Sequence, residues 1–304
     1  MGRLENLRVV DPVLTTLARG YKNNELVGDK LFPFVTVDKE AGKIPEFGKE
    51  AFRIYNTKRA PRANTNMINP EARNIINFVM DEHDVGYPID YREKAEDMFN
   101  AEKHATNVTS EIIRLRHEYE SAMVSQNLSS YPTGNKITLA GTDQFTDSSS
   151  DPIGVVEDGK KAVSDKIGRD PNTMIIGDPA FRTLKNHQQL LDRIKYSMKG
   201  VVTLDLMKEI FEIEKIFVGS AVYADDNGNF VKLWNDNIIL AYVPDKIENV
   251  EEPTFGLTPR KRGYPKIDKY FKNGGKVEVV RNTDFWTVLL VGVIAGYLIN
   301  DTNA

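Results

Sequence analysis

Between Asp90 and Leu128 the chain contains neither glycine nor proline. Asp90 is followed three residues later by Glu93, the spacing of a capping box, so the run predicts one helix through the whole stretch. At about 1.5 Å per residue that helix would be on the order of 55–60 Å long, far beyond the ~11–12-residue mean. Met98, Ala101, Ala105, Val108, Ile112, Leu115, Tyr119 and Ala122 alternate spacings of three and four and form one apolar stripe along it. Such a stripe suits either a helix laid over a sheet or the seam of a coiled-coil dimer. Alanine at two successive positions and a repeat that ends after about four heptads favour the sheet. The rest of the chain has to supply it.

The tract before the helix, 31–88, is of another kind. Pro33, Gly42, Pro45, Gly48, Pro61, Pro70, Gly86 and Pro88 punctuate it, and strand-like pieces lie between them: Phe34 to Val37, Lys43 to Phe47, and Ile75 to Val85. The intervening 57–74 is polar and turn-rich. Nearly sixty residues of extended chain with so few apolar positions cannot enclose a core, so the tract must lean on something else. Ahead of it, Leu14, Leu17 and Ala18 recur at helical spacing after Asp11-Pro12.

After a loop-rich joint at 129–152 with one short strand, Lys136 to Ala140, the pattern alternates helix and strand. Helices are predicted over Pro152 to Ile167, Pro179 to Ile194 and Leu204 to Ile213, and a buried strand over Thr173 to Gly177. Ile216 to Ala224 and Asn229 to Trp234 flank Asp225-Asp226-Asn227-Gly228, the strongest hairpin signal in the chain. A strand follows over Ile238 to Val243, then an extended basic segment at 251–276. The last strands are expected at Lys276 to Arg281 and Trp286 to Ile299. The class is α+β.

The chain of 304 residues has 40 basic and 44 acidic side chains, a net charge of −4, so it has no bulk attraction for phosphate backbones or anionic membranes. With no cysteine, thiol catalysis, disulfides and thiolate-held metals are closed. The first twenty residues lack the apolar core of a secretory signal. Trp286 to Ile299, the most apolar run, is short of the ~20 residues a membrane-spanning helix needs.

His83, His104, His117 and His187 show no metal-ligand spacing, and no phosphate-binding loop or nucleophile elbow is present. The Asp225 turn lacks the glutamate that closes a calcium loop. No catalytic, cofactor or metal residue is expected. Lys58, Arg59 and Arg62 in the extended tract, and Arg260, Lys261 and Arg262 with Lys266, Lys269 and Lys272 later, read as ion-pairing groups that meet acidic surfaces of another copy, the acidic long helix among them.

An arm, a Pro- and Gly-punctuated β extension, one very long helix, an α/β region with a hairpin and a terminal apolar strand together resemble the major capsid protein of tailed bacteriophages, the Hong Kong 97-type fold. DPVLTTLARGYKNNELVGDKLFPFVTVDKEAGKIPEFGKEAFR (11–53) looks like the opening of many such proteins and VLLVGVIAGYLIND (288–301) like their closing strand. The resemblance implies an N-terminal arm at 1–30, an extended loop at 31–88, a peripheral domain with the spine helix at 89–150, an axial domain at 151–250 and a return to the peripheral domain at 251–304.

By the same resemblance the function is structural, not enzymatic. Copies self-assemble as pentamers and hexamers of an icosahedral shell around phage double-stranded DNA, which is held without sequence-specific binding. The alternative is an encapsulin-like compartment housing a cargo enzyme. The pattern begins close to Met1, so scaffolding is expected from a separate protein, alongside a portal and, in some members, a decoration protein. Some members cross-link a lysine of the loop to an asparagine; Lys39, Lys43, Lys49 or Lys58 with Asn282 or Asn300 are the residues of those types. No membrane is involved, and production is expected in the host bacterial cytoplasm.

Phe34, Val35, Phe47, Ile76 and Phe78 of the extension, with Lys58, Arg59, Arg62, Arg260, Lys261 and Arg262, are the expected contacts between copies. If charge pairing joins the copies, raising salt from 0.1 M to 1 M, where the Debye length falls from ~10 Å to ~3 Å, lowers the assembled fraction measured by light scattering. A salt-independent fraction would exclude it.

Overall fold

The computed structural model of the chain describes residues 25–46, 54–67, 74–97, 100–194, 202–245 and 252–304. The first part of the chain runs through α1 (Gly28–Leu31), β1 (Phe34–Val37), β2 (Ala41–Pro45), β3 (Ile75–Val79), β4 (Asp81–Asp90), α2 (Tyr91–Glu96), α3 (Ala101–Ser125), β5 (Lys136–Thr138) and α4 (Pro152–Ile167). It continues through β6 (Thr173–Gly177), α5 (Asp178–Asn186), α6 (Gln188–Ile194), α7 (Leu204–Phe211), β7 (Lys215–Gly219), β8 (Val222–Ala224), β9 (Phe230–Lys232) and β10 (Ile238–Ala241). The last strands are β11 (Gly256–Lys261), β12 (Lys266–Lys272), β13 (Val277–Trp286), β14 (Leu289–Leu290) and β15 (Gly296–Asn300).

Two sheets organise these elements. In the six-stranded sheet β13 is central: β4 pairs antiparallel along it from Asp90 opposite Val277 to Asp81 opposite Trp286, and β12 pairs on its other side. β11 meets β13 where Arg260 faces Trp286, and carries β1 parallel to itself. Helix α3 lies over β4 and β13, so it rests on a sheet as its composition predicts. The five-stranded sheet has the order β5-β15-β10-β6-β7, with β6 and β10 buried along their whole length, hence their unbroken apolar sequences TMIIG and IILA. Asp225 closes the β8–β9 turn, accepting from the backbone of Asn227 and Asn229 with Gly228 at φ 82°.

Five sequence expectations change. The capping box is present, with Glu93 accepting from the Asp90 N–H, but the helix it opens ends at Glu96. Asp97 is extended at φ −77°, ψ 112°, and Asn100 caps a second helix by accepting from the Lys103 N–H at 3.0 Å. Two capping side chains in one polar stretch divide what the absence of breakers joined.

The buried stripe is also rotated from the expected one. Ala105, Thr109, Ile113, His117, Ser121 and Ser125 recur every fourth residue, whereas Ile112 is 46% exposed. Small side chains let the helix approach the sheet closely, and of the polar ones His117 reaches Thr258 of β11 while Thr109 and Ser125 bond back to carbonyls of their own helix, none of which an apolar count registers. His187, extended at ψ 133° and bonded to Ser150, splits the 179–194 helix into α5 and α6. The 286–299 strand is broken because Gly292 and Gly296 lie against the Thr254 carbonyl and the Phe255 ring. Ser220 and Ala221 likewise separate β7 from β8 within 216–224. The Leu14–Leu17–Ala18 helix and Met98 lie outside the described residues.

One carboxylate ties the parts together. Glu118, 1% exposed, accepts from the N–H groups of Val27 at 3.0 Å and Gly28 at 2.6 Å and from Trp234 Nε1 at 2.6 Å. Burial pushes its pKa up, and the three donors oppose that shift. Gly28 is needed for the approach, since a Cβ there would stand 2.8 Å from Glu118 Oε2. Glu118→Ala orphans three buried donors at about 1–3 kcal/mol each, so a loss on the order of 3–5 kcal/mol is expected after relaxation. The check is the urea midpoint followed by tryptophan fluorescence; a shift worth under about 1 kcal/mol means the donors find water instead.

Candidate functional site

The candidate site is the extension β2–β3 and the cluster at its root. Alternation sets the hairpin: Ile44 faces Ile76 and Gly42 faces Phe78 on one side, while Ile75, Asn77 and Val79 point to the other. Gly42 makes room for Phe78, whose ring carbons lie 2.8 Å from where a Cβ would stand. Phe78 is therefore 7% exposed and sheltered by its own chain, and Ile76 is half-buried. The other face is bare, with Ile75 54% and Val79 69% exposed.

Beyond the hairpin, the tip folds on itself. Asn66 Nδ2 donates to the carbonyls of Asn56 at 2.7 Å and Lys58 at 3.1 Å, and the Arg59 guanidinium donates to the Ala63 carbonyl. Residues 54–67 include Lys58, Arg59 and Arg62 but no acid, and none of the three has an ion pair among the described residues. Ile54 and Met67, the first and last described residues of this stretch, are almost wholly exposed. Phe47 lies outside the described residues.

At the root, Phe34 of β1 is stacked on His117 with ring centroids 4.6 Å apart, and the Arg260 guanidinium lies 4.5 Å from its centroid. Val35 beside it is half-buried. Arg260 Nε donates to fully buried Asp284 at 2.9 Å in a forked pair. His117 meets Trp286 edge-on at 5.1 Å, and Trp286 stacks on His83 at 3.7 Å. The Thr258 hydroxyl donates to the Phe32 carbonyl, so His117 Nε2, 3.0 Å from that oxygen, is the protonated nitrogen. A cavity of about 210 Å³ adjoins these groups, lined by Phe34, His117, Arg260, Asn282, Asp284 and Trp286 among others.

Of the later basic residues, Arg260, Lys261, Arg262 and Lys269 meet acids within their own chain. Lys261 pairs with Glu40, and Arg262 with Asp38 at 2.6 Å, fixing β11 to the start of the hairpin. Lys269 pairs with Glu102, which also takes Lys94 at 2.6 Å; the two lysines hold the Glu102 carboxyl at about 2. Sequence reading named Arg260 but not its partner, although period-two alternation through VEVVRNTDFW puts Glu278, Asn282 and Asp284 on the Trp286 side. Glu118 gave no signal, being one of many helical carboxylates. Among the described residues no cluster of His, Asp or Glu could hold a metal ion, and no helix is long and apolar enough to cross a membrane.

A long helix over one sheet, a second sheet beside it and a projecting hairpin define a shell-building fold, the Hong Kong 97-type capsid fold. The family model for phage major capsid protein E matches residues 32–252, and the chain belongs to that family. The major capsid protein of Burkholderia phage BcepMu is 53% identical over the full length of both chains. A phage-related protein of Bordetella bronchiseptica RB50 has a solved structure with TM-score 0.76 and 37% identity, covering 97% of this chain and 98% of that one. The mature capsid of bacteriophage PhiM1 matches at TM-score 0.56 and 11% identity over 94% of this chain and 89% of that one. The protein is a phage major capsid protein, a structural component of the virion.

Burial lowers the His117 pKa to about 4 from an ordinary 6.5, with Arg260 and His83 adding to it and Asp29 opposing. The unfolded chain therefore binds more protons between those values. The stability from neutral His117 is complete above about pH 6.5 and is lost as pH falls towards 4, a total of roughly 3 kcal/mol. His117→Gln should flatten the pH dependence of the urea midpoint across that window. An unchanged slope would remove His117 as its source.

Proposed function

We propose that the chain self-assembles as pentamers and hexamers of an icosahedral shell that encloses phage double-stranded DNA. The observation that carries this is the hairpin's bare face, with Ile75 and Val79 exposed on a strand that pairs only with its hairpin partner among the described residues. A large apolar side chain gains about 1.5–3 kcal/mol when a neighbour buries it, and such contacts repeated head-to-tail close a ring or shell. A net charge of −4 suits a wall that must not grip the packaged polymer.

The same reading divides the chain into an arm at 1–30, an extended loop at 31–88, a peripheral domain at 89–150 continued at 251–304, and an axial domain at 151–250. β5 and β15, from the two parts of the peripheral domain at 89–150 and 251–304, also complete the sheet of β6, β7 and β10. A separate scaffolding protein, a portal and, where present, a decoration protein are its partners, and synthesis takes place in the host bacterial cytoplasm. The role is mechanical and needs no cofactor or catalytic group.

Encapsulin compartments share the fold, but the family match over 32–252 is to a phage capsid, which favours a genome over a cargo enzyme. Negative-stain microscopy of the purified protein is the direct test. Uniform closed or tubular particles are expected; a monomer at all concentrations, with a protease-resistant extension, would overturn the proposal.

A further inference from the structure

Asparagine is followed by glycine at Asn227-Gly228 and at Asn273-Gly274, and both pairs sit in exposed turns between paired strands. Such a pair is open to one covalent change in water. The backbone nitrogen of the glycine attacks Cγ of the asparagine and a C–N bond forms; the side-chain amide C–N bond breaks, and ammonia leaves with the proton of the glycine N–H. Water then opens the imide ring at either carbonyl, giving aspartate or its β-linked isomer. Glycine favours ring closure because it puts no Cβ in the way and leaves the backbone free to turn. The fold controls the rest: the glycine N–H must be free to give up its proton, and the asparagine must be able to rotate towards it.

The β8–β9 turn resists on both counts. The Gly228 N–H donates to the Asp225 carbonyl at 2.9 Å, so the attacking nitrogen is already engaged. Asp225 Oδ1 accepts from the N–H groups of Asn227 at 3.0 Å and Asn229 at 2.7 Å, and these bonds hold the residue that would have to rotate. Asp225 and Asp226 also precede Asn227, so a new carboxylate would stand beside two of its own sign.

The turn between β12 and β13 is built otherwise. Asn273, Gly274 and Gly275 all have positive φ, at 52°, 66° and 90°, a run that suits asparagine and glycine. The bond across it, from the Lys276 N–H to the Asn273 carbonyl, is long at 3.4 Å, and the Gly274 N–H has no acceptor among the described residues. Lys272 and Lys276 flank the turn and are exposed, so a carboxylate made there meets charges of the opposite sign.

We infer that Asn273 is a modification site of the folded chain, converting through an imide on the Gly274 nitrogen to aspartate and its β-linked isomer, while Asn227 is protected by its own turn. This does not rest on the shell reading. Each conversion makes the net charge of −4 more negative by one and puts the new charge in the β12–β13 turn. The ladder behind the turn, which starts where Lys272 faces Val277, contains none of the reacting atoms.

The test holds the purified full-length chain at mildly alkaline pH, where the glycine nitrogen gives up its proton more readily. Samples are taken for peptide mapping that separates asparagine, aspartate and the β-linked isomer. Products at 273 should accumulate roughly tenfold faster than at 227, the factor set by breaking a net backbone hydrogen bond before reaction. In concentrated urea both turns are lost, and the two rates should converge. On ion exchange, Asn273→Asp, which starts with the charge of the product, should lose most of the slow acidic drift of the unaltered chain. Absence of product at 273, a rate at 227 that equals or exceeds it in the folded chain, or a gap that persists undiminished in urea would each overturn the inference.

Discussion

The structure depends on how closely a helix can lie on a sheet when both surfaces carry polar groups. The inward stripe of α3 is made of Ala105, Thr109, Ser121 and Ser125 as much as of Ile113, and the β13 face beneath it carries Asn282 and Asp284 beside Val280 and Trp286. Short side chains shrink the gap, and each buried polar group then needs a partner at that range. Ser110 and Asn282, His117 and Thr258, and Arg260 and Asp284 are such pairs, and Glu118 extends the scheme to the start of α1 and to Trp234 beside the second sheet. Hydrophobic burial gives these elements their tendency to associate; the polar pairs give the association one geometry.

That division explains what sequence could deliver. Fold class, the helix-on-sheet arrangement, the β2–β3 extension and the Asp225 turn follow from local chemistry that periodicity and turn residues encode. The interruption at Asp97–Asn100 and the rotated stripe did not: the first rests on caps that a stretch without glycine or proline does not announce, the second on small and polar side chains such as His117, whose partner Thr258 lies far along the chain. Asn100 caps whatever begins after it, and nothing in a window of sequence says that a second helix is wanted there. The broken strand after Trp286 has a similar origin: Gly292 and Gly296 read as minor interruptions until Thr254 and Phe255 are seen pressed against them.

The candidate site was legible to a different degree. The extension's inability to enclose a core was plain from composition, yet which of its apolar residues stay bare was decided by the hairpin register. Pairing of Gly42 with Phe78 shelters Phe78 and turns Ile75 and Val79 outward, and a shift of one residue would reverse the two faces. Arg260, Lys261 and Arg262 were recognised as ion-pairing groups, but Asp284, Glu40 and Asp38 meet them within the chain across separations that no local pattern spans.

The joints at the hairpin root bear on the order in which the molecule takes shape. Arg262 and Asp38 are 224 residues apart in the chain, whereas β6, β7 and β10 of the other sheet come from one continuous stretch. Loop-closure entropy delays pairings between remote segments, so the sheet of nearby strands forms first and β1 joins β11 late. The extension is rooted at both ends through strands remote in sequence, β1 on β11 and β4 on β13, so it has no fixed base until those late strands are in place.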